Sequence, residues 1–112
     1  MADSRTQVLA GTLDLLILKT LSVAVMHGYG VVQHIRRLSN GDLRIEEGSV
    51  YPALQRMLTK GWIVSETKTT PTGREARYFK VTPAGRRQLA AEEEEFKRSV
   101  AATTRVLRSA ES

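Results

Sequence analysis

Residues 46–62, EEGSVYPALQRMLTKGW, hold the side chains best suited to recognise a hydrogen-bonding, anionic partner. On a helix, Gln55 and Arg56 lie on a polar face to which this stretch contributes no carboxylate. Glutamine can pair with adenine and arginine with guanine, so both suit the edges of nucleic-acid bases. The hydroxyl and ammonium groups of the same stretch suit phosphates: Ser49, Tyr51, Thr59 and Lys60. A solvated helix face is the alternative interpretation.

The distribution of charge agrees with an anionic partner. The net charge of the chain is +5. Residues 41–88 contain nine basic and five acidic residues, a net charge of +4, whereas residues 89–112 contain four and five, a net charge of −1. Surfaces rich in lysine and arginine are common in soluble proteins, so charge alone does not decide between these interpretations.

Several classes of site are not expected. The chain has no cysteine, which excludes disulfides and thiolate metal sites and fits a reducing compartment. His27 and His34 are seven residues apart without a suitably spaced third ligand, so we predict no metal site. Glu92 to Glu95 point in all directions on a helix and indicate a solvated charged surface. No nucleophile, triad or phosphate-binding loop is recognisable, and we predict neither a cofactor nor an enzyme.

The N-terminal residues lack the pattern of a signal peptide. The most apolar run, Leu13 to Met26, is interrupted by Asp14 and Lys19 and is shorter than the roughly 18–20 residues that span a bilayer. We therefore expect a cytoplasmic protein that has no membrane partner.

Helical periodicity predicts three helices in the first half of the chain. The first has Thr12 as N-cap and an apolar stripe of Leu13, Leu16, Ile17, Thr20, Leu21 and Ala24. After a turn at His27–Gly30, the second runs from Tyr29 to Leu38. It is predicted to bury Val31, Val32, Ile35 and Leu38 and to expose Gln33, His34, Arg36 and Arg37. Asn40 or Gly41 ends it. A short strand is predicted at residues 43–45.

The third helix is the stretch described first. Its apolar face is Val50, Ala53, Leu54, Met57 and Leu58. We expect Pro52 in the first turn, where its missing N–H costs nothing, and Gly61 at the end.

A hairpin and a long helix complete the chain. The strands are predicted at residues 62–68 and 76–81, with Trp62 mainly in the core. The wing tip, residues 69–77, holds Arg74 and Arg77 beside Gly73 and adjoins Lys68. It is a flexible basic tip suited to phosphates or a narrow minor groove, with a flexible charged loop that has no partner as the alternative. Thr82 and Pro83 begin the last helix. Its apolar line is Leu89, Phe96, Val100, Thr103 and Leu107.

This order predicts an α+β fold, mainly α with a small β-hairpin: a winged helix-turn-helix with a long C-terminal dimerisation helix. The predicted divisions are a flexible N-terminus at residues 1–8, the winged domain at 9–82, the dimerisation helix at 83–108 and a tail at 109–112. Such a fold places its third helix in the major groove of double-stranded DNA, while its second crosses the DNA backbone. Arg36 and Arg37 are therefore candidate backbone contacts.

Five sequence blocks in order resemble the PadR family of bacterial transcriptional regulators. They are GTLDLLIL at residues 11–18, HGYG at 27–30, EGSVYPAL at 47–54, GWI at 61–63 and YFKVTPAG at 78–85. The resemblance extends from about Leu9 to Leu107 and is to the short subfamily with one helix after the wing.

The resemblance implies a DNA-binding homodimer, usually a repressor, whose last helix forms the dimer. Many members release DNA when a small molecule binds. Phe96 occupies a place where similar relatives often have tryptophan, so it is a candidate contact for a small hydrophobic or aromatic effector, with plain packing as the alternative. Two-fold symmetry implies a palindromic operator. The other hypotheses are a winged-helix adaptor that binds protein rather than DNA, and ligand sensing in the dimer groove.

Overall fold

The computed structural model describes residues 6–9 and 11–110, which form four helices and two small sheets. The helices are α1 (Leu13–Val23), α2 (Gly28–Leu38), α3 (Glu47–Thr59) and α4 (Pro83–Arg108). The strands are β1 (Thr6–Gln7), β2 (Met26–His27), β3 (Leu43–Arg44), β4 (Ile63–Thr69) and β5 (Glu75–Val81). The predicted α+β class and the order of its helices and hairpin are confirmed.

The core lies where α1, α2 and α3 meet the wing strands. Its largest fully buried side chains are Ile17, Leu18, Val31, Val32, Val50, Leu54, Met57 and Ile63. The predicted apolar face of α3 is therefore buried, although Leu58 is only half-buried. Leu38 was predicted to be buried, but its side chain is 66% exposed. It is the last residue of α2, where the chain turns away from the core.

The wing hairpin is antiparallel and runs from the pair Ile63–Val81 to the pair Thr69–Glu75. The predicted strands are confirmed to within a residue at each end. The pairing of β2 with β5 was not predicted, and it gives a three-stranded sheet in the order β2-β5-β4. Trp62 precedes β4 and packs against the core, but it is only half-buried, so it belongs to the core in part rather than mainly.

The segment before α1 belongs to the fold. Thr6 and Gln7 pair in parallel with Leu43 and Arg44, so the predicted flexible N-terminus is wrong for these two residues. The rest of that prediction, residues 1–5, lies outside the described residues. Thr12 precedes α1 as predicted, but its hydroxyl donates to the Leu9 carbonyl at 2.7 Å instead of capping the helix.

Local chemistry explains the ends of α2. The helix begins at Gly28, and His27 Nδ1 accepts a hydrogen bond from the Gly30 N–H at 2.9 Å. His27 thus supports the turn, as its position suggested. The chain leaves α2 through Asn40 and Gly41, whose φ angles are +54° and +77°. Both residues adopt the left-handed conformation that was predicted for one of them.

Pro52 lies in the second turn of α3, because this helix begins at Glu47. The prediction of a first-turn position is wrong. A proline here removes the N–H that would bond to the carbonyl four residues earlier, at Gly48. Gly48 is exposed, so water can satisfy that carbonyl, and the apolar contacts on the other side of the helix keep it intact.

Helix α4 begins inside the domain and then leaves it. Thr82 Oγ1 accepts from the Gly85 N–H at 3.0 Å and donates to the Gly61 carbonyl at 2.7 Å, so the predicted cap is confirmed. Gly85 and Leu89 are the buried residues of α4. The domain core therefore includes the first turns of α4, which moves the predicted boundary at residues 82 and 83 into the helix. At roughly 1.5 Å per residue, the remainder explains the longest dimension of 64 Å.

Candidate nucleic-acid interface

The outer face of α3 brings four of the predicted contact residues together. Gln55, Arg56, Thr59 and Lys60 are all exposed and line one shallow surface beside Pro52. They share this face because they lie one turn apart on the helix, opposite the buried Ala53, Leu54 and Met57. A continuous polar and cationic surface on an otherwise well-packed helix has the shape and chemistry needed to enter a groove of DNA.

A cleft of about 800 Å³ separates α3 from the wing and the start of α2. Tyr51 and Gln55 line its α3 side, and Arg74 and Arg77 line its wing side. Gln55 therefore belongs both to the cleft and to the outer face of α3. The cleft therefore lies between α3 and the wing, the two elements that were predicted to contact DNA.

Tyr51 lies against the N-terminus of α2. A Cβ atom added to Gly28 would lie 3.0 Å from the Tyr51 ring, so the missing side chain at Gly28 makes room for the ring. Tyr51 remains 55% exposed, which leaves it on the surface rather than in the core. Sequence reasoning missed the neighbouring cleft residues Tyr29 and Tyr78; the HGYG block was a signal for Tyr29, but it was interpreted only as a turn.

The tip of the wing is a closed turn. The Thr70 N–H donates to the Arg74 carbonyl at 2.6 Å, and the Gly73 N–H donates to the Thr70 carbonyl at 2.9 Å. The Arg74 N–H donates to Thr70 Oγ1 at 3.2 Å. These bonds constrain the backbone of the turn at Arg74, whereas the sequence had suggested a flexible loop.

The other two wing cations lie on the strands. Arg77 is within β5, and its Nε donates to Ser65 Oγ on β4 at 3.0 Å. Its predicted place at the tip is therefore wrong. Lys68 lies on β4 with its ammonium 5.6 Å from the centre of the Tyr78 ring. Both side chains are exposed, so they add positive charge along the wing.

Arg56 has an acidic partner on another helix. Its Nη2 donates to Oδ1 of Asp14, in the first turn of α1, at 2.8 Å. The side chains are 55% and 23% exposed, respectively. The face of α3 has no carboxylate of its own, as the sequence indicated, but α1 supplies one.

Arg36 and Arg37 differ from their prediction and from each other. Arg36 was predicted to point outward, but it is half-buried and its Nη2 donates to the Ile45 carbonyl at 2.8 Å. It ties α2 to the segment that precedes α3. Arg37 is exposed, as predicted, and its Nη2 lies 3.3 Å from His34 Nδ1. Neither arginine lines the cleft or the outer face of α3.

Ser49 and Lys60 lie near the two ends of α3. Ser49 lines a separate pocket of about 380 Å³ that also contains Asp14, Arg44 and Arg56. The Lys60 ammonium lies 4.6 Å from the centre of the Trp62 ring, a cation–π contact. This contact places the Lys60 ammonium beside the C-terminus of α3.

The acidic run on α4 is partly paired and partly turned inward. Glu93 pairs with Lys97 at 3.1 Å, and Arg98 pairs with Glu94 and Glu95, which fits the predicted charged surface. Glu92 is half-buried instead, and burial raises the pKa of its carboxyl. Its Oε2 has no hydrogen-bond partner among residues 6–9 and 11–110.

The described part of the chain lacks two kinds of feature. It contains no group of three or more His, Cys, Asp or Glu side chains placed to hold a metal ion. None of its helices is both long and apolar enough to cross a membrane.

Comparison with solved structures supports the predicted fold. A PadR family transcription regulator from Clostridium difficile R20291 is 26% identical, with a TM-score of 0.74 over 87% of this chain and 99% of that one. Bacillus subtilis PadR, solved in complex with operator DNA, is 21% identical, with a TM-score of 0.65 over 72% of this chain and 46% of that one. The second likeness concerns the fold alone. Together they confirm the winged-helix fold.

The sequence comparisons identify the family. The transcriptional regulator Rv3488 of Mycobacterium tuberculosis is 38% identical over 64 residues, which are 57% of this chain and 56% of that protein. The model of the transcriptional regulator PadR-like family matches residues 17–91, which include α2, α3, the wing and the first turns of α4. Family and relative alike are transcriptional regulators and not enzymes. The chain therefore belongs to the PadR-like family of transcriptional regulators.

Proposed function

We propose that the protein is a homodimeric repressor that binds a palindromic operator through α3 and the wing. The observation that carries this proposal is the exposed face of Gln55, Arg56, Thr59 and Lys60, which adjoins a cleft bordered by wing arginines. The α3 face supplies groups that can bond to base edges. The wing supplies cations for phosphates.

The operator complex of the Bacillus subtilis relative supports this choice over a protein-binding adaptor. The net charge of +4 in residues 41–88 supports it as well, because an excess of cations favours a polyanion. A regulator that acts on the chromosome works in the cytoplasm, the compartment predicted from the sequence.

The dimer part of the proposal rests on the second half of α4. Phe96, Val100 and Leu107 are 38%, 46% and 79% exposed, and Thr103 lies on the same predicted line. An exposed apolar row on a projecting helix is typical of a surface that a partner covers. Leu89 was predicted to take part, but it is only 8% exposed and serves the core of its own domain.

The part of the proposal that concerns release by an effector centres on Phe96. Phe96 borders a groove of about 250 Å³ between α4 and the start of α1, with Glu92 and Glu95 nearby. Ligand pockets usually have roughly 300–1,000 Å³, so one subunit alone offers an incomplete site. An aromatic effector would contact Phe96 only in a site that the second subunit completes.

Selection of sequences from a randomised double-stranded DNA library tests the DNA part. The wild-type protein should enrich a palindromic motif with half-sites about one helical turn, or a multiple of it, apart. Arg56→Ala should lower the affinity for the selected motif roughly 5- to 150-fold, and Arg74→Ala should weaken binding to all sequences and reduce the salt dependence. Arg108→Ala removes the same charge from the last turn of α4 and is the control. The proposal fails if the wild-type protein enriches no sequence.

Sedimentation tests the dimer. Changing Val100 and Leu107 to Asp should give a monomer, because two carboxylates would be buried in the apolar contact. Val64 on the wing has a similar exposure, 50%, so Val64→Asp is the matched control and should remain dimeric. A dimer of unchanged affinity in the double variant would refute this part.

A further inference from the structure

We propose that Asp14 is a positioning residue for Arg56 and thereby helps to determine which base pair the protein prefers. This inference rests on the proposed DNA-binding function. It concerns a residue of α1, outside α3 and the wing.

The contact joins a rigid support to a flexible side chain. Asp14 is the second residue of α1, where its negative charge interacts favourably with the positive end of the helix dipole. The helix is anchored by Ile17 and Leu18, both fully buried. Arginine has several rotatable bonds, so an unsupported Arg56 would sample many positions on the exposed face. The 2.8 Å hydrogen bond from Nη2 to Asp14 Oδ1 restricts it to one region.

The pair leaves Arg56 able to recognise a base. A guanidinium has five N–H donors in a planar fork, and the contact with Oδ1 uses a donor on Nη2. The side chain remains 55% exposed, so its other donors are accessible. Restricting the plane of the fork in advance favours a bidentate contact with the two acceptors of guanine, which depends on orientation more than a phosphate contact does.

Two other roles for the pair predict different results. A purely structural link between α1 and α3 would change stability without changing sequence preference, and exposed ion pairs contribute little to stability. A purely electrostatic role would make Asp14 a repulsive charge beside DNA. Removing it would then strengthen binding to every sequence alike. Positioning predicts instead a loss of preference at one base pair of each half-site, the one that Arg56 reads.

The experiment compares motifs selected from a randomised double-stranded DNA library by the full-length wild type and its variants. Asp14→Asn should reduce the preference at the base pair that Arg56→Ala also affects, by about 5-fold or more, and leave the other positions unchanged. In the Arg56→Ala background, Asp14→Asn should have no further effect at that position. Glu47→Gln removes one exposed carboxylate from the first turn of α3 and is the charge control; it should preserve the motif.

Thermal unfolding of each variant separates misfolding from altered recognition. If Asp14→Asn proves unstable, Asp14→Glu keeps the charge and moves the carboxylate by one methylene. Weaker preference at the same base pair supports positioning, because a charge effect alone predicts no change. An unaltered motif in a folded Asp14 variant, with Arg56→Ala still losing one position, overturns this inference and leaves the proposed function standing. A motif unaffected by Arg56→Ala overturns it too. If the wild type enriches no sequence, the proposed function fails first.

Discussion

Gly85 offers a sharp test of how α4 is joined to the domain. A Cβ atom at this position would lie 2.0 Å from the Trp62 carbonyl oxygen, 2.9 Å from the Trp62 carbonyl carbon and 2.7 Å from Val81 Cγ2. Two of these three atoms belong to the backbone, so a change of rotamer cannot relieve the clash. The first turn of α4 would have to move by about 1.5 Å to restore ordinary contact distances.

Moving the first turn of α4 would strain two hydrogen bonds of Thr82. The Thr82 N–H donates to the Trp62 carbonyl at 3.0 Å, and Thr82 also caps α4 through Gly85. Shifting the turn strains both bonds. Overpacking of a core typically costs about 1–3 kcal/mol, while replacing glycine by alanine within a helix contributes only about 1 kcal/mol in the opposite direction. The gain offsets part of the loss, so we expect Gly85→Ala to lower the free energy of unfolding by up to about 2 kcal/mol.

Urea unfolding at a fixed protein concentration measures this loss, since a dimer's stability depends on concentration. Gly48→Ala is the matched control, because Gly48 is also helical but a Cβ there would meet nothing within 4 Å. It should raise stability by about 0.5–1 kcal/mol through helix propensity alone. A Gly85→Ala protein as stable as Gly48→Ala would refute the argument for close approach.

Two further predictions concern the core and α4. Leu54→Ala should lower the free energy of unfolding, measured in urea, by about 2–5 kcal/mol, because Leu54 is fully buried. The control Leu38→Ala changes an exposed residue and should be near neutral. Equal losses of stability in the two variants would contradict the assigned core. Burial raises the pKa of Glu92, because the partly buried carboxylate is destabilised relative to the neutral carboxyl. The ionised side chain therefore lowers the free energy of unfolding above that pKa, and this loss of stability disappears as the pH falls through the pKa. Glu92→Gln should therefore stabilise the protein by less than about 1 kcal/mol at neutral pH, and should have no such effect in acid. The control Glu66→Gln, at an exposed position, should not show this pH dependence. A gain in stability that is independent of pH would exclude burial of the carboxylate as its cause.

The features predicted correctly from the sequence depend on neighbours along the chain. Thr82 and Pro83 specify the start of α4, and Asn40 and Gly41 specify the end of α2, because caps and left-handed turns are made within a few residues. The wing strands were predicted for the same reason, since the two halves of a hairpin are close in sequence. The polar face of α3 followed from helical spacing alone.

The errors concern positions whose environment is set by distant segments. Strand β2 is two residues long, too short for an alternating pattern, and its pairing with β5 depends on the packing of α1 and α2. The prediction that Arg36 points outward was wrong because the Ile45 carbonyl, nine residues further along the chain, accepts its hydrogen bond. Leu89 lies on the apolar line of α4, but only the packing of that helix assigns it to its own domain rather than to a partner.

By itself, the sequence determined the helices, the hairpin, the family and the candidate residues for DNA recognition, because each depends on periodicity or on short blocks. Only the tertiary structure decided which of those candidates lie together. It turned Arg36 inward, joined Gln55 to the wing cleft and brought Asp14 to Arg56 across 42 residues of chain. The physical reason is that a charge acts on whatever the fold brings near it, and sequence separation does not limit that distance.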